Sequence, residues 1–338
     1  MIKIKSATAK VYIVCPANQA TGGPELLHQL AFRLRASNID ALMYYLPTDD
    51  PKPIHPFYEH YQVPYVATVA NHTDHVVIIP ESLTNMIYDK RFAKMTKAIW
   101  WLSVDHYFSF VNNLLAQHQK KKTFTIKHFF NYYKIPTLKH LTKAKKIVHF
   151  AQSAYAIDFL SRHQINNVFY LSDYLNQAFL NGAAPDQNKG REDIVLYNPK
   201  KGLNFTQEII KQAPQIKFLP IQHLTPDEVS ALLRKSKVYL DFGSHPGKDR
   251  FPREAAIMGC CIITGRQGSA NFSEDLPIDN SFKFNDEQAE IPKIIEKIKA
   301  CLNHFEEESK HFDSYREWIN LEPKKFEDDV AAIFKKQF

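Results

Sequence analysis

The sequence predicts an α/β protein of two doubly wound, parallel-sheet domains facing a cleft, on three observations. Apolar runs such as His75-Val-Val-Ile-Ile-Pro80 and Ala98-Ile-Trp-Trp-Leu-Ser-Val104 are continuous rather than alternating, as strands buried on both faces require. Stretches of helical period separate them. A polar, aperiodic stretch, Asn181-Gly-Ala-Ala-Pro-Asp-Gln-Asn-Lys-Gly190, then interrupts the alternation and reads as a linker.

In order, Lys10–Cys15 is the first expected strand, and Pro24–Ala36 a helix with Leu26, Leu27, Leu30, Ala31 and Leu34 on one face. Strands follow at Ala41–Leu46, His75–Pro80, Ala98–Val104, Ile147–Phe150 and Val168–Leu171, with a helix through Tyr155–Leu160. The second series is Ile194–Tyr197, a helix from Asn204, Ile216–Leu219, a helix opened by Thr225-Pro-Asp-Glu228, then Val238–Phe242 and Cys261–Thr264. Thr225 at the N-cap, Pro226 in the first turn and Glu228 three residues on form a strong helix start. The tail from Pro292 is helical and laced with charge. The expected division is a domain over 1–182, a second over 193–320 and a terminal helix over 321–338.

The 338 residues, 44% hydrophobic and 23% charged, suffice for a sizeable core. Cys15, Cys260, Cys261 and Cys301 lack metal-ligand spacing and read as reduced thiols of a cytoplasmic protein. No metal is expected, since the fifteen histidines are scattered without an H-E-x-x-H pattern. G-x-S-x-G is absent as well, and no secretory leader or membrane-spanning run is visible. The net charge of +7 favours anionic partners. Lysines and aromatic residues mix through Lys120–Lys146, which suits either a peripheral contact with the inner face of a membrane or an ordinary amphipathic surface. A nucleic-acid-binding module is the alternative that the same segment raises, although no nucleic acid is expected.

The most informative run is Asp241-Phe-Gly-Ser-His-Pro-Gly-Lys-Asp-Arg-Phe-Pro-Arg-Glu-Ala-Ala-Ile-Met-Gly259. A strand opens into a glycine-bearing loop, and Lys248, Arg250, Arg253 and Glu254 gather where the next helix starts. Free N–H groups there add partial positive charge, so a nucleotide diphosphate fits. Asn198-Pro-Lys-Lys-Gly202 leaves another strand end, and Lys200 and Lys201 are either phosphate ligands or solvated surface lysines. Thr21-Gly22-Gly23-Pro24 permits close approach of a ligand or is simply a tight turn. Gly265-Arg-Gln-Gly-Ser-Ala270 is either a phosphate nest or a flexible turn. Asp105 and His106, at a strand's carboxyl end, are either a base and sugar-binding pair or a structural one.

Taken together, the Gly-Gly turn, Asn198-Pro-Lys-Lys-Gly202 and Phe251-Pro-Arg-Glu-Ala-Ala-Ile-Met-Gly259 resemble a GT-B glycosyltransferase, nearest to glycosyltransferase family 4. Glu254, Ala255, Gly259 and Ile262-Ile263 carry the match. The resemblance implies two Rossmann-like domains, the first binding an acceptor and the second a nucleotide-sugar. It further implies transfer of a hexose-like sugar from a UDP- or GDP-sugar to a glycan or lipid-linked acceptor in surface polysaccharide synthesis, without a cofactor or metal. Glu254 would bind the ribose, and Lys201 and Lys200 the diphosphate. Gly22 and Gly23 would lie by the donor phosphates or sugar, and Gly268, Ser269 and Ala270 by the sugar-diphosphate. The helix around Val330–Lys336 would cross back to the first domain. The family's earlier glutamate, eight positions before Glu254, falls on Pro246, beside His245. Lys248 and Arg250 or Arg253 are expected to compensate at the phosphate, and Asp249 to touch a sugar hydroxyl. If the reaction inverts, Asp105 and His106 are the candidate bases. A catalytically inactive nucleotide-sugar-binding protein and an epimerase are the other readings.

Overall fold

The structure is a computed structural model and describes residues 1–119, 134–181 and 190–338. It divides into two compact units, one of Met1–Asp173 with Lys324–Phe338 and one of Tyr174–Pro323. Residues 182–189 of the expected linker and 120–133 of the basic-aromatic segment lie outside the described residues.

Unit 1 runs β1 (Ile2–Ile4), β2 (Lys10–Pro16), α1 (Gly22–Ala36), β3 (Asp40–Leu46), β4 (Val76–Pro80), β5 (Thr96–Trp101), α2 (Val104–Gln119), α3 (Leu138–Lys143), β6 (Val148–Ala151), α4 (Ala154–Arg162) and β7 (Val168–Tyr170). Six strands form one parallel sheet in the order β3-β2-β4-β5-β6-β7. All of β4 and β6 is buried, which is why their sequences are apolar without alternation. The α1 leucines named above are buried, as their spacing predicts. The chain leaves β2 for β3 on one side and returns to β4 on the other. The crevice of this sheet therefore opens between the carboxyl ends of β2 and β4.

Unit 2 runs α5 (Gln177–Asn181), β8 (Glu192–Tyr197), α6 (Leu203–Gln212), β9 (Lys217–Pro220), α7 (Pro226–Lys235), β10 (Ser236–Asp241), α8 (Arg250–Ile257), β11 (Cys261–Thr264), α9 (Ile291–Asn303), α10 (Phe305–Glu308) and α11 (Asp313–Ile333). Its four-stranded parallel sheet has the order β11-β10-β8-β9, so its crevice lies at the ends of β8 and β10. The capping box of α7 forms: the Thr225 hydroxyl accepts from the Glu228 N–H at 3.3 Å, and Glu228 accepts from the Thr225 N–H at 2.7 Å. Helix α11 begins in unit 2 and ends in unit 1, with Pro323 at the division.

Two expectations change. Strand β5 stops at Trp101, so Asp105 and His106 sit in the first turn of α2 rather than on a strand end. The terminal helix stops at Ile333, and Phe334–Lys336 becomes β12, paired in parallel with β1. Phe334 lies opposite Ile2, and burial of both, with Ile4, outweighs the helical preference of the lysines that follow. All four cysteines are free and buried.

Backbone packing at the crevice of unit 2 depends on glycine. Gly202 and Gly243 have φ of +52° and +101°. A Cβ on Gly202 would lie 2.3 Å from the Phe242 carbonyl oxygen, and one on Gly243 would lie 2.5 Å from the Gly202 nitrogen. Gly202→Ala and Gly243→Ala should each lose about 2–3 kcal/mol in urea unfolding. Gly190→Ala, with φ of +78° but nothing within 4 Å, should lose only about 1 kcal/mol. Equal losses at the three positions would show that steric overlap is not the cause.

Candidate functional site

Three strand-end loops build the crevice of unit 2. Asn198–Gly202 follows β8, Phe242–Asp249 follows β10, and Gly265–Ser269 follows β11. Gly268, at φ +59°, brings the third loop onto the second, where a Cβ would lie 2.1 Å from the His245 carbonyl oxygen. Ser269 closes the same contact: its N–H donates to that oxygen at 2.9 Å, and its hydroxyl donates to the Gly247 carbonyl at 2.6 Å. Ala270 is buried behind it. The Gly268–Ala270 turn is thus packed, not flexible.

Inside these loops lies a chain of ionisable groups. Asp249 accepts from Lys201 and from His245 Nδ1, the latter at 2.7 Å. His245 Nε2 lies 3.4 Å from the Asp241 carbonyl oxygen, and the Tyr239 hydroxyl donates to Asp241 Oδ2 at 3.0 Å. Burial pushes the Asp241 carboxyl up. Burial acts in the same sense on Asp249, but His245 and Lys201 outweigh it and hold that carboxyl below its usual value. For His245 burial favours the neutral ring, yet the charges of Asp241 and Asp249 prevail and raise its pKa. Asp286 reaches the same loops, accepting from the Gly243 N–H at 2.9 Å and from Gln267 Nε2 at 2.8 Å. Lys200 is exposed, its N–H donating to Asn198 Oδ1 at 3.0 Å.

Lys248 and Arg253 are not in the crevice lining. Lys248 is 4% exposed and Arg253 0%, and both bind Glu322 of α11, at 2.6 and 2.9 Å. The Lys248 ammonium also sits 4.1 Å from the centre of the Trp318 ring. Arg253 donates further to the carbonyls of Asp249 and Lys248, each at 3.2 Å. Sequence placed Lys248, with Arg250 or Arg253, at a phosphate; in the structure Lys248 and Arg253 instead fasten α8 and its entry loop to α11. Arg250 and Glu254 pair with each other at 2.9 Å, and the arginine remains 28% exposed. Because loss of one partner strands buried charge, Glu322→Gln should cost about 3–5 kcal/mol. An unfolding midpoint within about 0.5 kcal/mol of the parent would contradict that role.

Unit 1 holds the remaining candidates. Gly22 and Gly23 open α1 after Thr21, whose carbonyl accepts from the Tyr58 hydroxyl at 2.7 Å. Ser103 Oγ accepts from the His106 N–H at 3.2 Å, while half-buried Asp105 accepts from the Tyr155 hydroxyl at 3.5 Å. His106 is exposed, and no hydrogen bond joins it to Asp105 among those described.

Glu81, which the sequence reading passed over, follows β4 at the crevice. It is 2% exposed and accepts from the Leu102 N–H at 2.9 Å, fixing the turn that carries Ser103 and Asp105. Burial raises its carboxyl from 4.5 to about 7, against the pull of backbone N–H groups. The folded protein thus holds this proton more tightly than the unfolded chain, and stability falls as pH rises through 4.5 to 7. Glu81→Gln should therefore gain on the parent between pH 5 and pH 8, by up to about 3 kcal/mol. A stability difference that does not change with pH would refute the assignment.

Of the residues singled out in sequence, the structure brings Lys201 to Asp249 and Arg250 to Glu254, with Gly268 and Ser269 against the same loop. Asp241, His245 and Asp286 were missed as site residues. A carboxylate ending an apolar strand, as Asp241 does, was a readable signal, whereas Asp286 arrives from a distant loop with no local one. In the described part of Lys120–Lys146, Ile135 and Leu141 are buried. No described helix is long and apolar enough to cross a membrane.

No protein-family model matches the chain, and no curated protein matches it either. Solved structures do. HepE from Anabaena, crystallised with UDP-glucose, aligns at a TM-score of 0.62 and 10% identity, over 96% of this chain and 98% of that one. WaaG, described as a glycosyltransferase involved in lipopolysaccharide biosynthesis, aligns at 0.54 and 13%, over 95% and 99%. Sucrose-phosphate synthase from Thermosynechococcus elongatus aligns at 0.55 and 12%, over 97% and 95%. The chain has the GT-B fold, that of nucleotide-sugar glycosyltransferases.

Proposed function

We propose that this protein is a nucleotide-sugar-dependent glycosyltransferase that passes a hexose-like sugar from a UDP- or GDP-sugar to a glycan or lipid-linked acceptor in surface polysaccharide synthesis. The observation that carries this reading is the alignment, over 96% of the chain, with HepE bound to UDP-glucose. The crevice of unit 2 supports it. There a half-buried lysine, an Arg250–Glu254 pair and a packed glycine turn converge at strand ends.

In this reading unit 2 takes the donor. Lys201 answers the diphosphate, Glu254 the ribose, and the Gly268–Ala270 turn the sugar-diphosphate. Arg250 is left as a second cation, since Lys248 and Arg253 are committed to Glu322. Lys201, paired with Asp249, turns from that carboxylate to the donor phosphate. Breaking the anomeric C–O bond leaves growing negative charge on the diphosphate and an oxocarbenium-like sugar. Cations fixed beside that phosphate lower the barrier because they stabilise the transition state more than the bound donor. Unit 1 takes the acceptor, where Asp105 and His106 are the candidates to receive the hydroxyl proton in an inverting reaction.

Calorimetry against UDP, GDP, CMP and dTDP tests the reading. One nucleotide diphosphate should bind, and Lys201→Ala and Glu254→Ala should each weaken it at least about tenfold, or about 1.4 kcal/mol. Binding of that nucleotide's sugar without any turnover would favour the inactive-binder reading. No response to any nucleotide would remove the donor site altogether.

A further inference from the structure

The crevice of unit 2 holds more carboxylate than its cations neutralise. Asp241, Asp249 and Asp286 gather where Lys201 and His245 are the opposing charges. Asp241 is 1% exposed, and while its Oδ2 receives the Tyr239 hydroxyl, its Oδ1 has no hydrogen-bond partner among the described residues. Asp286 repeats the pattern, with Oδ2 doubly bonded to donors and Oδ1 unpartnered. A carboxylate oxygen kept from water and left without a donor is costly, and proteins resolve such an atom with a proton, a water or a cation.

One ligand-capable atom from each of Asp241, His245 and Asp249 lies within 4.8 Å of the other two. From this we infer that Asp241, His245 and Asp249 form a binding site for a divalent transition-metal ion. The three residues lie four apart along a single loop, with Asp241 ending β10 and Asp249 preceding α8. His245 Nδ1 and Asp249 Oδ2, 2.7 Å apart, already stand nearly as two adjacent ligands of one ion. Bonds of about 2.0–2.2 Å need neighbouring ligand atoms roughly 3–3.5 Å apart, so the three groups, within 4.8 Å of one another, would draw together on an ion. Asp241 Oδ1 is the atom with unused lone pairs, since the Tyr239 hydroxyl occupies Oδ2. Two carboxylate oxygens with one imidazole, which releases its proton to solvent as the ion binds, suit manganese or zinc better than calcium or magnesium.

The contact from Gly268 and Ser269 to the His245 carbonyl holds the loop for all three ligands. An ion here takes the place of the Lys201 ammonium on Asp249 and frees that ammonium to meet an anion. The site thus stands apart from any assumption about the nucleotide, and it departs from the metal-free chemistry expected from sequence.

The test uses the full chain, stripped with chelator, without nucleotide. Manganese chloride alone is titrated in while the free-ion paramagnetic resonance signal is followed, and zinc chloride by calorimetry. One ion per chain should bind at micromolar concentration, with Asp241→Asn and His245→Gln each weakening it about 10–100-fold. Absence of binding by the parent protein up to millimolar metal would overturn the inference, whatever the variants do. So would binding that both variants, shown folded by circular dichroism, retain in full. Because no nucleotide is present, failure here leaves the donor-site reading to be judged on its own experiment.

Discussion

Gly202 and Gly243 meet backbone to backbone at the ends of β8 and β10, and Gly268 then brings the turn after β11 onto His245. Everything proposed for unit 2 rests on these approaches. Side chains larger than hydrogen would hold the loops apart, and Lys201 could then not reach Asp249 from a different strand end. The positive φ values at all three glycines are the conformational condition for that closeness. Rigidity of this kind keeps the loop backbones in place when a ligand arrives, so that only side chains need move.

A second constraint decides which cations are available. Three basic residues, Lys248, Arg250 and Arg253, cluster in the sequence around α8 and its loop, and a local reading assigns them to one anion. The fold instead divides them by depth. Lys248 and Arg253 point into the protein and close on Glu322, while Arg250 and Lys201 stay partly exposed. A buried ion pair of this sort contributes less to net stability than to fixing one arrangement of helices, since desolvation offsets much of the attraction. Here Arg253 also donates to the Asp249 carbonyl, so the pair is tied to the residue just before α8.

In unit 1, Glu81 plays an analogous part with a single carboxylate. It ties the end of β4 to the turn after β5 and so holds the start of α2, which carries Asp105. Both units therefore fasten a strand-end loop with a buried acid, and in each the acid comes from a different segment than the loop it fixes.

The sequence by itself determined the secondary-structure order, the parallel sheets and the glycine-bearing loops. These follow from local rules: continuous apolar runs, helical period and capping chemistry act over a few residues. The GT-B resemblance was legible too, through Glu254, Ala255 and Gly259, which lie within one helix and its end. Only the tertiary structure decided that Phe334–Lys336 pairs with Ile2–Ile4, because that strand exists through burial against the far end of the chain. It alone separated partly exposed cations from buried ones, since Glu322 lies 69 residues from Arg253. It alone joined Asp286 to Gly243, 43 positions away. Ionisable groups take their roles from depth and from partners, and neither is written in the few residues on either side.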